Sequence, residues 1–203
     1  MSKSFLKRLA VMIVSGLIIG FGVYLAVMAN VGADALTTFQ QGLSRTLGLE
    51  LALCNFLANA FFTLLIFIAD RKALKLPDII YPFIISSGIK LSGYIVLPVS
   101  SMFLRVVYFI LALIIIGLGI GLGVNSKCGN NPYDGLVLLI SKRVNKQFKH
   151  VRMLMDLTVL VIGIVLGGSF GIGTFVSMLS QGTIGQFFIE MLRKNRFLNK
   201  FTA

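Results

Sequence analysis

"KCGNNPYDGLVLLISKR", residues 127–143, breaks an otherwise nearly continuous run of hydrocarbon side chains with two asparagines, a proline and an aspartate. Asn131 stands directly before Pro132, and Asp134 follows two positions later. Asparagine is a favoured helix N-cap, and proline is favoured at the first helical position, where its missing N–H leaves nothing unpaired. Asp134 then falls on the third helical position, where a carboxylate meets free N–H groups and the positive helix end. The stretch therefore predicts a turn and the start of a short, polar-capped helix over 129–145, preceded by the glycine-rich segment "GLGIGLG" at 117–123.

The surrounding chain defines what such a helix is embedded in. Of 203 residues 57% are hydrophobic and only 13% charged, too little charge to cover a water-soluble surface of this size. Apolar runs near 9–29, 51–69, 78–97, 106–126, 151–168 and 173–192 are solid rather than alternating, and each approaches the length that crosses about 30 Å of hydrocarbon. This pattern predicts an all-α polytopic membrane bundle of about six transmembrane helices, forming one domain over 1–203. The N-terminal run is too long for a signal peptide and lacks a small-residue cleavage pattern, so it reads as the first span.

The net charge of +12 comes from basic residues concentrated in the loops. That distribution points to topology and anionic lipid contacts, and away from nucleic acid. With the N-terminus in the cytoplasm, sixteen of nineteen basic residues face inward: Lys3, Lys7, Arg8, Arg71, Lys72, Lys75, Lys127, Lys142, Arg143, Lys146, Lys149, Arg152, Arg193, Lys194, Arg196 and Lys200. Arg45 and Arg105 remain outside, and Lys90 lies within a span. Both termini are thus expected in the cytoplasm. Cys54 and Cys128 are far apart and suggest neither a disulfide framework nor a metal site.

Shifting the sequence by 97 residues aligns its halves without a gap: Gly20 and Gly22 on Gly117 and Gly119, Gly32 on Gly129, Ser44 on Ser141, Arg45 on Lys142. The stretch 32–48, "GADALTTFQQGLSRTLG", is then the partner of 129–145, with Asp34 as its cap and Thr37 in place of Asp134. Each half (about 9–98 and 106–195) contributes three spans and one short helix. Three is odd, so the second half enters the membrane inverted, a pattern shared by many secondary transporters and by duplications that only build a compact bundle. The short helices are either interfacial or re-entrant. In the second case their N-termini and caps face a shared cavity.

The candidate cavity residues are Asn130, Asn131 and Asp134 with Asp34 and Thr37, and two i,i+4 pairs, Asn55/Asn59 and Arg152/Asp156, aligned with each other by the same shift. Asp156 lies inside a span, where an unpaired charge costs on the order of 3 kcal/mol, and Arg152 nearer the interface can neutralise it. Lys90 either snorkels outward or pairs with Asp156, Asp34 or Glu50. Asp134 already occupies the positive helix end, so a cation, a zwitterion or a proton suits the site as well as an anion. The sequence contains no Ser/His/Asp set, metal cluster or glycosidase-like carboxylate pair, so neither an enzyme nor a cofactor is expected.

The second half, through the glycine-rich span, "GNNPYDGL", "SKR", "VRMLMDLTVLVIGIVLGG" and "GIGT", resembles the YczE/YyaS/YitT-like bacterial membrane proteins. The first half resembles them through "GFGVYLAVMANVGADALTTFQQGLSRTLGL", although "GADALT" lacks the proline and following aspartate of the family's turn. The resemblance implies a bacterial cytoplasmic-membrane protein and adds little about activity. A small transporter or permease-like protein for an unknown solute or ion, acting as a homo-oligomer, is the leading expectation. The alternatives are a substrate-binding membrane subunit dependent on an ATPase partner, as in energy-coupling-factor transporters, and a non-transporting accessory protein.

Overall fold

A computed structural model of the chain describes residues 3–72, 74 and 76–194. Lys75, Arg196, Lys200 and both chain ends, which entered the topology argument above, lie outside the described residues. The described residues form eight α-helices and no strand: α1 (Lys3–Ala29), α2 (Ala35–Leu47), α3 (Leu51–Ala69), α4 (Leu76–Ser92), α5 (Met102–Ser126), α6 (Pro132–Arg143), α7 (Phe148–Val165) and α8 (Ile172–Lys194). The protein is a helical membrane bundle, as expected. Adding 97 to the starts of α1–α4 gives the starts of α5–α8 to within two residues.

Among the described residues, three helices qualify by length and composition to cross a membrane: Ser4–Ala29, Leu51–Ala69 and Met102–Ser126. The span expected over 78–97 is cut short, since α4 ends at Ser92 after 17 residues, about 25 Å of helix. Gly93 follows, its N–H bonding to both Ile89 O and Lys90 O, and a tightened turn continues to Val96 before Pro98 precludes further helix.

Polarity is distributed inside-out relative to a water-soluble domain. Ile172, Val165 and Phe103 are 84%, 80% and 76% exposed, whereas Thr38, Gln40 and Asn59 are fully buried. Such an arrangement suits a hydrocarbon solvent, in which exposed apolar side chains cost nothing and polar groups find partners only within the bundle.

Helix packing obeys a reciprocal rule. α1 packs on α4 as α5 packs on α8, α2 on α7 as α6 on α3, and α3 on α4 as α7 on α8. The central pair, α1 and α5, is antiparallel: Ser15 meets Gly123, Ile19 meets Gly119, and Gly22 meets Ile116. The last two contacts are one contact with the halves exchanged, because Ile116 is Ile19 plus 97 and Gly119 is Gly22 plus 97. A Cβ on Gly22 would lie 2.7 Å from Ile116 Cγ1, so glycine here sets the interhelical distance. Gly20 likewise seats α1 on α4, where a Cβ would lie 2.5 Å from Ile85 O.

The turns after α1 and α5 also correspond. Asn30 (φ 50°) and Lys127 (φ 57°) are equivalent left-handed residues. Gly32 has φ 109°, whereas its counterpart Gly129 has no positive φ, so only the first-half glycine is demanded by backbone conformation.

The two short helices begin inside the bundle and end at its edge. Ala35–Thr38 and Pro132–Asp134 are buried, while Arg45–Leu47 and Lys142–Arg143 are exposed. Their ends are pinned in matching ways. Thr46 Oγ1 donates to Leu166 O at 3.0 Å, and the equivalent Arg143 Nη2 donates to Ala69 O at 2.6 Å. Arg45 adds bonds to Gly167 O (2.6 Å) and Ser169 Oγ (2.9 Å). In each case a side chain from one half satisfies carbonyls left free where the third helix of the other half ends.

Candidate functional site

The N-termini of α2 and α6 open onto one enclosed cavity of about 20 Å³, lined by Asp34, Thr37 and Gln40 from the first short helix and Asn131 and Asp134 from the second. Asn55 and Arg152 close it from α3 and α7, with an isoleucine wall from α1, α4 and α5. A space of this size holds about one water-sized species.

On the α2 side, Asp34 is the N-cap as expected. Its carboxylate accepts from the Thr37 N–H (3.3 Å) and the Thr37 hydroxyl (2.5 Å). On the α6 side, Pro132 occupies the first turn, but Asn131, although at the N-cap position, makes no capping bond. Its Nδ2 donates instead to Asp134 Oδ2 at 3.2 Å. This bond to a charged acceptor orients the amide by its donor end and leaves Oδ1, the atom that would cap the helix, without a partner among the described residues.

Asp134 also pairs with the Arg152 guanidinium, which reaches Asp156 Oδ2 through Nε at 3.4 Å. Arg152 is 2% exposed, so its assignment to the cytoplasmic surface is corrected: it is an internal ion-pair partner and not a topology charge. Tyr133 completes this group. Its hydroxyl donates to Asp156 Oδ1 at 2.5 Å, and its ring lies 4.9 Å from the guanidinium carbon, with the Phe148 ring at 5.9 Å on Arg152. A buried cation is thus held by two carboxylates and two aromatic faces.

The first half carries a neutral version. Asn59 Nδ2 donates to Asn55 O (3.0 Å) and Asn55 Oδ1 (3.2 Å), and Ser86 Oγ donates to Asn55 Oδ1 at 3.3 Å. Asn55 lines the cavity, and Asn59 backs it as Asp156 backs Arg152.

Two candidates stand elsewhere. Asn130 faces away from Asn131, its N–H donating to Asp78 Oδ1 at 2.7 Å, and borders a separate cleft of about 270 Å³ with Lys72, Pro132 and Lys142. Lys90 is an exposed residue 3.9 Å from Glu50, so of its three proposed partners it takes the one outside the bundle centre. Gln40 and Gln181, fully buried with no side-chain partner among the described residues, were not singled out from the sequence. Nor was Tyr133, although it sits between Pro132 and Asp134. No group of three or more His, Cys, Asp or Glu side chains suited to a metal occurs among the described residues.

An apolar exterior, helices only, and a buried ionic centre define a helical integral membrane protein. Residues 6–190 match DUF6198, a family of unknown function, and the chain belongs to that family. It is 27% identical over 187 residues to the uncharacterized protein YyaS of Bacillus subtilis, covering 91% of this chain and 92% of that one. It is 26% identical over 172 residues to the uncharacterized membrane protein YczE of the same organism (84% and 80%), and 24% identical over 188 residues to an uncharacterized protein of Haemophilus influenzae (93% and 86%). The expected likeness to YczE and YyaS is therefore met. No solved structure matches the chain.

Proposed function

We propose that this protein is a small, non-enzymatic transporter of the cell membrane, built from two inverted repeats, with six crossing helices, two re-entrant helices and both termini in the cytoplasm. One observation carries the reading: Asp34 and Asn131, at equivalent N-cap positions of two short helices in different halves, line the same enclosed cavity. Discontinuous helices that point their N-termini at a central site from opposite faces are the working parts of many secondary transporters. The antiparallel packing of the equivalent helices α1 and α5 supports the inversion. The burial of the starts of α2 and α6 favours re-entrant over surface helices.

In this reading the present state is occluded. A cleft bordered by Asn130 and Lys142 approaches from one side and is separated from the cavity by the turn before Pro132. Alternating access opens the cavity to each face in turn by moving one half against the other.

Cysteine accessibility tests this. In a background with Cys54 and Cys128 replaced, single cysteines across 30–38 and 127–136 are labelled with a membrane-impermeant thiol reagent from either side. Positions near 34 and 131 should label from both faces in different molecules of one population. Free labelling of each segment from one face only would overturn the proposal. Solute uptake that requires a co-purified ATPase would replace it with the energy-coupling-factor alternative.

A further inference from the structure

The charges around the cavity do not balance. Three buried carboxylates, Asp34, Asp134 and Asp156, share one buried cation, Arg152. Arg152 is committed to Asp134 and Asp156, whereas Asp34 has only Thr37 as partner among the described residues. The two helix N-termini contribute roughly half a positive charge each, which offsets about one of the two surplus negative charges. About one negative charge remains in a low-dielectric interior, where an uncompensated ion is costly.

The polar atoms without partners indicate what balances it. Gln40, fully buried, lines the cavity with both amide atoms unpaired, so its carbonyl oxygen is available whichever way the amide is turned. Asn131, 6% exposed, spends its amine on Asp134 and leaves Oδ1 unpaired at the same cavity. With the carboxylate oxygens of Asp34 and the Thr37 hydroxyl, these make a set of four oxygen-bearing side chains, the ligand type of hard cations, in a cavity that Arg152 also lines while paired to Asp134 and Asp156. One proton on Asp34 would use one of these acceptors, while a metal ion uses several. A divalent ion would overshoot the charge.

We infer that the cavity between Asp34 and Asp134 binds a single dehydrated alkali cation, sodium, through Asp34, Thr37, Gln40 and Asn131. The inference deepens the transport reading and rests on it for its role: a solute-carrying cycle would couple to sodium here.

The test is equilibrium binding of radiolabelled sodium to the purified full chain in lipid nanodiscs, with potassium as background salt. The expected result is saturable binding displaced by unlabelled sodium and weakened at least about tenfold by Asp34→Asn, which keeps a competent helix cap. Gln40→Leu, nearly the same volume, should weaken it as well, and Lys90→Ala should bind as the parent does. Absence of saturable binding would overturn the inference, as would a folded Asp34→Asn that binds like the parent, or protons binding without competition from sodium. Two-sided accessibility without sodium binding would sink the cation site alone. Sodium binding with one-sided accessibility would sink the transport reading alone.

Discussion

Arg152 on α7 reaches across to Asp134 on the first turn of α6, and both side chains are at most 3% exposed. The pair fixes a short helix of the second half to a long one at the centre of the bundle. Removing one member leaves a buried charge without its partner, a loss of about 3–5 kcal/mol. Arg152→Ala should therefore lower the thermal unfolding midpoint in detergent sharply. The triple variant Asp134→Thr, Arg152→Asn, Asp156→Asn copies the residues of the first half at the equivalent positions and should lose less. A triple variant as unstable as Arg152→Ala would show that the neutral set cannot substitute.

Tyr133→Phe keeps the ring beneath Arg152 and deletes one donor to Asp156. The expected loss is about 1–3 kcal/mol, the cost of an acceptor left short in a buried site. Folding should survive, as read by gel filtration and unfolding midpoint. A neutral outcome would mean that the hydroxyl contributes nothing to holding Asp156.

Two glycines separate soft from hard clashes. At Gly22 an added Cβ would lie nearest a side-chain atom, 2.7 Å from Ile116 Cγ1 and 3.2 Å from the Ile116 nitrogen, whereas at Gly20 it would lie 2.5 Å from the Ile85 carbonyl oxygen and 2.7 Å from the Ile89 nitrogen. Gly20→Ala should thus destabilise by about 1–3 kcal/mol, and Gly22→Ala by less. Unfolding midpoints that rank them in reverse would contradict the packing described for α1.

Lys90→Ala should change stability by no more than about 0.5 kcal/mol, since its pair with Glu50 is exposed. The same experiment distinguishes the arrangement seen here from an internal partner for Lys90, which would make the loss several times larger.

Thr46→Ala and Arg143→Ala each remove one of the two equivalent bonds that pin a short helix to a carbonyl of the opposite half. Under the alternating-access reading they should bias the protein in opposite directions, raising thiol labelling near 34 and 131 from opposite faces. Shifts toward the same face would refute the equivalence of the two pins.

The offset of 97 was readable from sequence in hydropathy and glycine placement, and the observed helix starts keep to it within two residues. The Asp34 cap was readable because an N-cap is a local event within four residues. The pairing of Arg152 with Asp156 was readable from their i,i+4 spacing, but its count among the topology charges was not, because a basic residue near the start of a span looks the same whether it turns outward to headgroups or inward to a carboxylate. That choice depends on where α6 lies, which no local pattern encodes. The same holds for Gln40 and Gln181: a glutamine on a helix is ordinary until burial strips it of water. The early end of α4 was hidden because residues 93–97, "GYIVL", continue the hydropathy of the span after its helix has stopped.

The equivalence of the halves also fails where the chemistry is. Glycines, turns and end pins correspond, yet Thr37, Asn55 and Asn59 face Asp134, Arg152 and Asp156. Under the alternating-access reading, a scaffold with two interchangeable halves has two shapes of equal energy related by a two-fold rotation, and a cargo-free molecule would divide itself evenly between them. The ionic network on one side removes that degeneracy. Its three charged side chains cannot loosen as cheaply as three neutral ones, so in that reading the half that carries them is expected to be the more rigid. The direction in which the resting molecule leans is then written in three side chains, and exchanging them between halves should turn it around.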